Sequence, residues 1–162
     1  MDNNDEIIEN AKSPLLLITF FAVVVSVMTF FLPMAFQQKE PAIADSVEQN
    51  MVFLNRMVER YIKDNKRPPD SLKKLINTAK KERYNKTFFN PVRLNGGNID
   101  SQRMAIEYSA LEVSRLGPSS LSELNAGKTG YYTDGSHYTI YGHLRHGELI
   151  TRKGQILSFG NF

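Results

Sequence analysis

The stretch Ser13–Phe36, SPLLLITFFAVVVSVMTFFLPMAF, carries no charged residue, and its reading decides the rest of the chain. Its twenty-four residues would extend about 36 Å as a helix, against a hydrocarbon core of about 30 Å. That is long enough to span a bilayer with some tilt. A secretory signal has a shorter apolar region, about 7–15 residues, behind a basic start. Here the start is acidic, with Asp2, Asp5, Glu6 and Glu9 ahead of Lys12. A small-x-small cleavage pattern, Ala42-Ile43-Ala44, lies past the apolar end with Lys39 and Glu40 between. The expectation is an acidic tail over 1–12, a transmembrane helix over 13–36, a linker over 37–44 and a globular domain over 45–162. Flanking charge does not orient the span, because Lys12 stands on one side and Lys39 and Arg56 on the other.

Within the apolar stretch, Thr19, Ala22, Ser26, Thr29 and Pro33 recur at spacings of 3 and 4 and share one helical face. A stripe of small, weakly polar residues lets membrane helices approach closely and hydrogen-bond. The competing reading is that the hydroxyls bond back to their own helix and Ala22 falls there by chance. Pro33 removes one backbone bond and bends the helix near its end.

Without the apolar stretch and the tail, roughly 120 residues remain, enough for one modest core. The chain holds no cysteine, so disulfides, thiolate metal sites and a cysteine nucleophile are excluded, and the redox compartment stays open. The net charge of +3 is unevenly spread: residues 1–12 carry −3 and the remainder +6. Between Arg56 and Arg93 twelve Lys/Arg face four Asp/Glu. Lys73, Lys74, Lys80, Lys81 and Arg83 are the densest part of that excess. It suits an anionic polymer or a lipid surface, or else it is a solvated face. No aromatic-interleaved motif accompanies it, so nucleic acid is the lesser expectation as a partner.

Beyond the linker, Val47, Met51, Leu54, Val58, Tyr61 and Ile62 form an apolar stripe at helical periodicity, with Asp45 or Ser46 as cap and Glu48 three residues after Asp45. Pro68-Pro69 ends that helix. Asp70 or Ser71 starts a shorter one with Leu72, Leu75, Ile76 and Ala79 inward. Asn90-Pro91 signals a turn, and Arg93–Asp100 reads as a loop. Residues 101–129 fit either a strand (Met104, Ile106, Tyr108) or a helix (Ala105, Tyr108, Leu111, Glu112), broken at Gly117-Pro118. The tail reads as an antiparallel meander. Tyr131–Thr133 and His137–Tyr141 flank Asp134-Gly135, and Glu148–Thr151 and Gln155–Phe159 follow. The fold class is α+β, with a transmembrane helix, then an amphipathic helix packed by a small antiparallel sheet.

This ordering resembles the type IV pilins and type II secretion pseudopilins. Pro33 falls where that family places its helix-bending proline. Leu54–Leu75, LNRMVERYIKDNKRPPDSLKKL, is similar to its amphipathic helix, tyrosine, polar spacer, proline and Ser-Leu-x-x-Leu. Asn90-Pro91 matches its Asn-Pro turn. Gly130–Asn161 is similar to its Gly-x-x-Tyr, Tyr-x-Ile-x-Gly, Gly-x-x-Ile and terminal Asn pattern. The likeness covers roughly residues 12–162. There are departures. The family's leader is cut after a glycine, yet no glycine precedes Gly96 here, and Ala11 and Lys12 occupy the cleavage junction. Leu16 replaces the glutamate that engages a neighbouring subunit's amine, and a leucine accepts no hydrogen bond. The resemblance with these departures implies a retained Met1–Ala11 and a role other than the repeating filament unit.

Nothing resembles a catalytic constellation. His137, His143 and His146 read as surface loop histidines rather than metal ligands. Asp134 is explained by its turn. Ser119-Ser120-Leu121-Ser122 has no nucleophile-elbow context, and no phosphate-binding glycine loop follows a strand. An enzyme is not expected, nor any cofactor or metal. Two functions fit. One is a minor pseudopilin-like structural component of a type II secretion or type IV pilus apparatus, partnered by the membrane and by other apparatus subunits. The other is an uncleaved single-pass anchor whose pilin-like domain contacts an anionic polymer or lipid. Both place the chain in the bacterial cytoplasmic membrane, with the C-terminal domain extracytoplasmic.

Overall fold

The computed structural model describes residues 18–29, 40–98 and 104–161. The chain divides into two units, one ending at Gln38 and one beginning at Lys39. In the first, residues 18–29 are helical (α1) and its large apolar side chains are exposed, Ile18, Phe20 and Phe21 among them. No helix among the described residues is long and apolar enough to cross a membrane. The remainder of the expected span, 13–17 and 30–36, lies outside the described residues, as do Lys12, Leu16 and Pro33.

The second unit is α+β. Its backbone is helix α2, Glu40–Asn65. Residues 40–44 of the expected linker are part of this helix, with Pro41 and Glu40 among its first described residues. Asp45 and Ser46 are therefore interior residues rather than caps. The Ser46 hydroxyl donates to the Ala42 carbonyl one turn back, at 2.8 Å. Glu48 does not cap either: its carboxylate accepts both short contacts of the Arg152 guanidinium, at 2.7 and 3.0 Å. Ile43, Val47, Met51, Leu54, Val58 and Tyr61 are buried along one face, with Met57 beside them.

Helix α3, Leu72–Lys81, packs against α2 and matches expectation closely. Ser71 is extended and its hydroxyl accepts from Lys74 N–H at 3.2 Å, while Leu72, Leu75, Ile76 and Ala79 turn inward. The expected loop after Asn90 contains a strand: β1, Thr87–Asn90, pairs antiparallel with β2, Asn95–Asn98. Asn50, buried in the apolar face of α2, clamps that hairpin. Its side-chain amide donates to Phe89 O at 2.7 Å and accepts from Phe89 N–H at 3.3 Å.

The main sheet has four strands in the order β3-β4-β5-β8: Ala105–Glu107, Thr129–Thr133, Tyr138–Gly142 and Ser158–Gly160. It is mixed rather than antiparallel, because β3 runs parallel to β4. The ambiguous middle is thus both readings in turn: β3, then the short helix α4, Ala110–Ser114, opened by a capping box between Ser109 and Glu112. A single 3-10 turn, Glu123–Asn125, leads back toward β4. The β4–β5 turn forms at Asp134-Gly135 as expected, with the Asp134 carboxylate accepting from the N–H groups of Ser136 and His137 at 2.8 and 2.7 Å. The later segments shorten to a separate hairpin, β6 (Thr151–Arg152) and β7 (Gln155–Ile156), before β8 returns to pair with β5. Tyr138 and Ile140 of β5 face α2. Gly142 lets the strand approach that helix: a Cβ there would lie 2.6 Å from Met51 Sδ and 2.8 Å from a Val47 methyl.

Candidate functional site

Helix α3 and strand β3 wall a groove of about 900 Å³, closed on its third side by Leu124, Asn125 and Lys128. The walls are joined at one end, where the Leu72 N–H at the start of α3 donates to Glu107 Oε2 at 2.9 Å. From α3 the groove receives Leu72, Lys73, Ile76 and Asn77, and from β3 Ala105, Ile106 and Glu107. It is therefore apolar along its length, with amides and two ammonium groups at its rim.

Lys128 is the unusual member. It is only 8% exposed, and it makes no ion pair with any described residue. Burial pushes its ammonium below the ordinary lysine range, and the nearby charge of Arg93 adds to that. Its backbone is fixed on both sides: its N–H donates to Asn125 O at 2.9 Å and its carbonyl accepts from His143 N–H at 3.0 Å. The preceding Ala126-Gly127 is held by Asn90, which is fully buried. The Asn90 side chain donates to Ala126 O at 3.0 Å and accepts from the N–H groups of Val92 and Arg93, each at 3.0 Å. So the expected Asn-Pro turn does more than reverse the chain; it anchors the segment that presents Lys128.

Behind Asn125 lies a smaller cavity of about 220 Å³ bordered by Tyr108, Leu121, His143 and Gly147. His143 is 2% exposed, which corrects its reading as a surface histidine. Its Nδ1–H donates to Gly147 O at 2.8 Å, since a carbonyl can only accept, and its Nε2 accepts from the Tyr108 hydroxyl at 2.5 Å. Desolvation lowers the His143 pKa. His146 is exposed and His137 sits beside Asp134 at 3.2 Å. Among the described residues no cluster of three metal-ligating side chains occurs.

The other expected site residues fall in two places. Thr19, Ala22, Ser26 and Thr29 are exposed on α1, and Pro33 lies outside the described residues. The Thr29 hydroxyl donates to the Val25 carbonyl of its own helix. Of the basic residues, Lys73, Lys74, Lys80 and Lys81 all lie on α3. Lys73 lines the groove. Lys74 is engaged by Asp70 at 2.6 Å, and that contact raises its pKa. Lys80 and Lys81 occupy the last turn of α3, where cations offset the negative helix end, and Arg83 follows with φ 59.

Sequence reasoning missed Lys128 and Asn125, and it named Tyr108 and His143 without bringing them together. One signal was present for Lys128: no carboxylate lies between Glu123 and Asp134 to pair with it locally. No protein-family model matches the chain, and neither does any curated protein or solved structure.

Proposed function

We propose that this chain is a membrane-anchored, pilin-like subunit of a bacterial secretion or pilus apparatus, acting by assembly and display rather than by catalysis. The observation that carries the reading is α2: a 26-residue helix whose apolar stripe is buried from Ile43 to Tyr61 against α3, the β1–β2 hairpin and the C-terminal strands, following an uncharged, bilayer-length stretch of sequence. That is the order of elements the resemblance implies. The chemistry of the second unit agrees. Its groove is apolar with a charged rim, which suits recognition, and its buried histidine is committed to two hydrogen bonds. On this reading Thr19, Ala22 and Ser26 line the face through which the apolar segment meets helices of other subunits.

The test is Ser26→Ile in the full-length chain, extracted from membranes in mild detergent. A bulky branched side chain on a close-packing face should cut co-purification of apparatus subunits several-fold while the protein stays in the membrane fraction. Unchanged co-purification removes the assembly reading and leaves the anchored binding module. Recovery of the unsubstituted chain in the soluble fraction without detergent removes both.

A further inference from the structure

We propose that the groove between α3 and β3 binds an extended acidic segment of another polypeptide, which adds as a strand to the open edge of β3 and places a carboxylate against Lys128. The register fixes which way that edge points. Tyr108 N–H donates to Tyr131 O, and Met104 O accepts from Thr129 N–H. With Ile106 opposite Gly130, the backbone groups of Met104, Ile106 and Tyr108 turn toward β4. Those of Ala105 and Glu107 turn the other way, where no strand of the described residues pairs with them. An unpaired strand edge recruits extended backbone, which gains main-chain hydrogen bonds from the edge and specificity from side-chain pockets.

The charge of the occupant follows from the rim. Lys128 is more than nine-tenths buried, has no counterion among the described residues, and lines the groove. Its stem is buried while its ammonium is not among the buried, unpartnered polar atoms, so the charge is presented at the rim, where a carboxylate delivered to it gains a charge-assisted contact. Lys73, exposed on α3, lies on the same groove. The one carboxylate there, Glu107, already accepts from the Leu72 N–H at the helix start. Between the charges the walls are apolar, with Ile76, Ile106 and Leu124 contributing. An extended segment with apolar residues at alternate positions and an acidic residue between them satisfies the edge, the walls and the lysines together. The inference does not depend on membrane anchorage.

The experiment uses the full-length chain in detergent micelles and a short fluorescent peptide of alternating valine and glutamate. Saturable binding is expected, weakening as salt rises. Lys73→Glu and Lys128→Met should each reduce affinity by about tenfold or more, the loss of one charge-assisted contact. Lys73→Glu changes an exposed position and so leaves folding intact even if Lys128→Met does not. Methylating alternate peptide nitrogens should abolish binding if the segment pairs with β3. Equal binding of a valine–lysine peptide, indifference to Lys73→Glu, or unaltered binding of the methylated peptide would overturn the proposal. Displacement by millimolar inorganic phosphate at unchanged peptide length would also overturn it, reducing the groove to a small-anion site.

Discussion

At the scale of single residues, His143 shows how a polar group is admitted to an interior. Both ring nitrogens are used, one donating to Gly147 O and one accepting from Tyr108, so the neutral ring is satisfied where it sits. The charged ring is not: desolvation, with the Lys128 charge nearby, outweighs the hydrogen bond to Gly147 and the pull of Glu148, and lowers the pKa below 6.5. The unfolded chain therefore takes up a proton near pH 6.5 that the native state refuses. Stability is complete above that value and declines as pH falls toward the lower native pKa. Thermal unfolding temperature should drop between about pH 7.5 and about pH 5.5, and His143→Gln should flatten that slope. Equal slopes in the two proteins would assign the proton uptake elsewhere. The contact was not legible in the sequence, because Tyr108 and His143 are thirty-five positions apart. Asn90-Pro91 was legible, because an Asx turn is made by neighbours. Its second role, holding Ala126, was not, for the same reason of distance.

At the scale of elements, legibility followed the length of the local signal. Helix α3 announced its start, at Asp70 or Ser71, and its inward face within a dozen residues, and the β4–β5 turn showed within a few. Residues 40–44 read as linker because Pro41 beside Glu40 is a breaker signal, yet they are helical. Strand β3 has only three residues, so the alternation of Met104, Ile106 and Tyr108 competes with a helical reading, and its parallel pairing depends on partners far along the chain. The α2–β5 contact is a close joint between elements. Gly142 sits where a side chain would meet Met51, Val47 and Ile150, all within 2.8 Å of an added Cβ. The thioether tip of Met51 can swing aside, but Val47 is branched and held by its helix. Gly142→Ala should cost about 1–3 kcal/mol by overpacking. The measurement is the denaturant midpoint, which should fall with an unchanged slope. A midpoint equal to that of the parent chain would mean that the helix and strand yield more than close packing allows.

At the scale of the whole molecule, the chain divides by chemistry as well as by structure. The stretch Ser13–Phe36 carries no charged residue, while the core of the second unit is one contiguous cluster from Ile43 to Ile150. Roughly 120 residues with one such core are enough to fold independently. The ends of the unit are tied in: α2 buries its first apolar residue at Ile43, and β8 pairs with β5 while the Asn161 side chain accepts from Tyr138 N–H at 2.9 Å. A protein beginning at Lys39 should therefore stay soluble without detergent and unfold in one cooperative transition, at a temperature within a few degrees of the full chain in micelles. It should also bind the valine–glutamate peptide as the full chain does, since every groove residue lies past position 71. Calorimetry, with calorimetric and van't Hoff enthalpies compared, is the check. Aggregation of the shortened protein, or a broad transition with unequal enthalpies, would show that the second unit needs the first to complete its core.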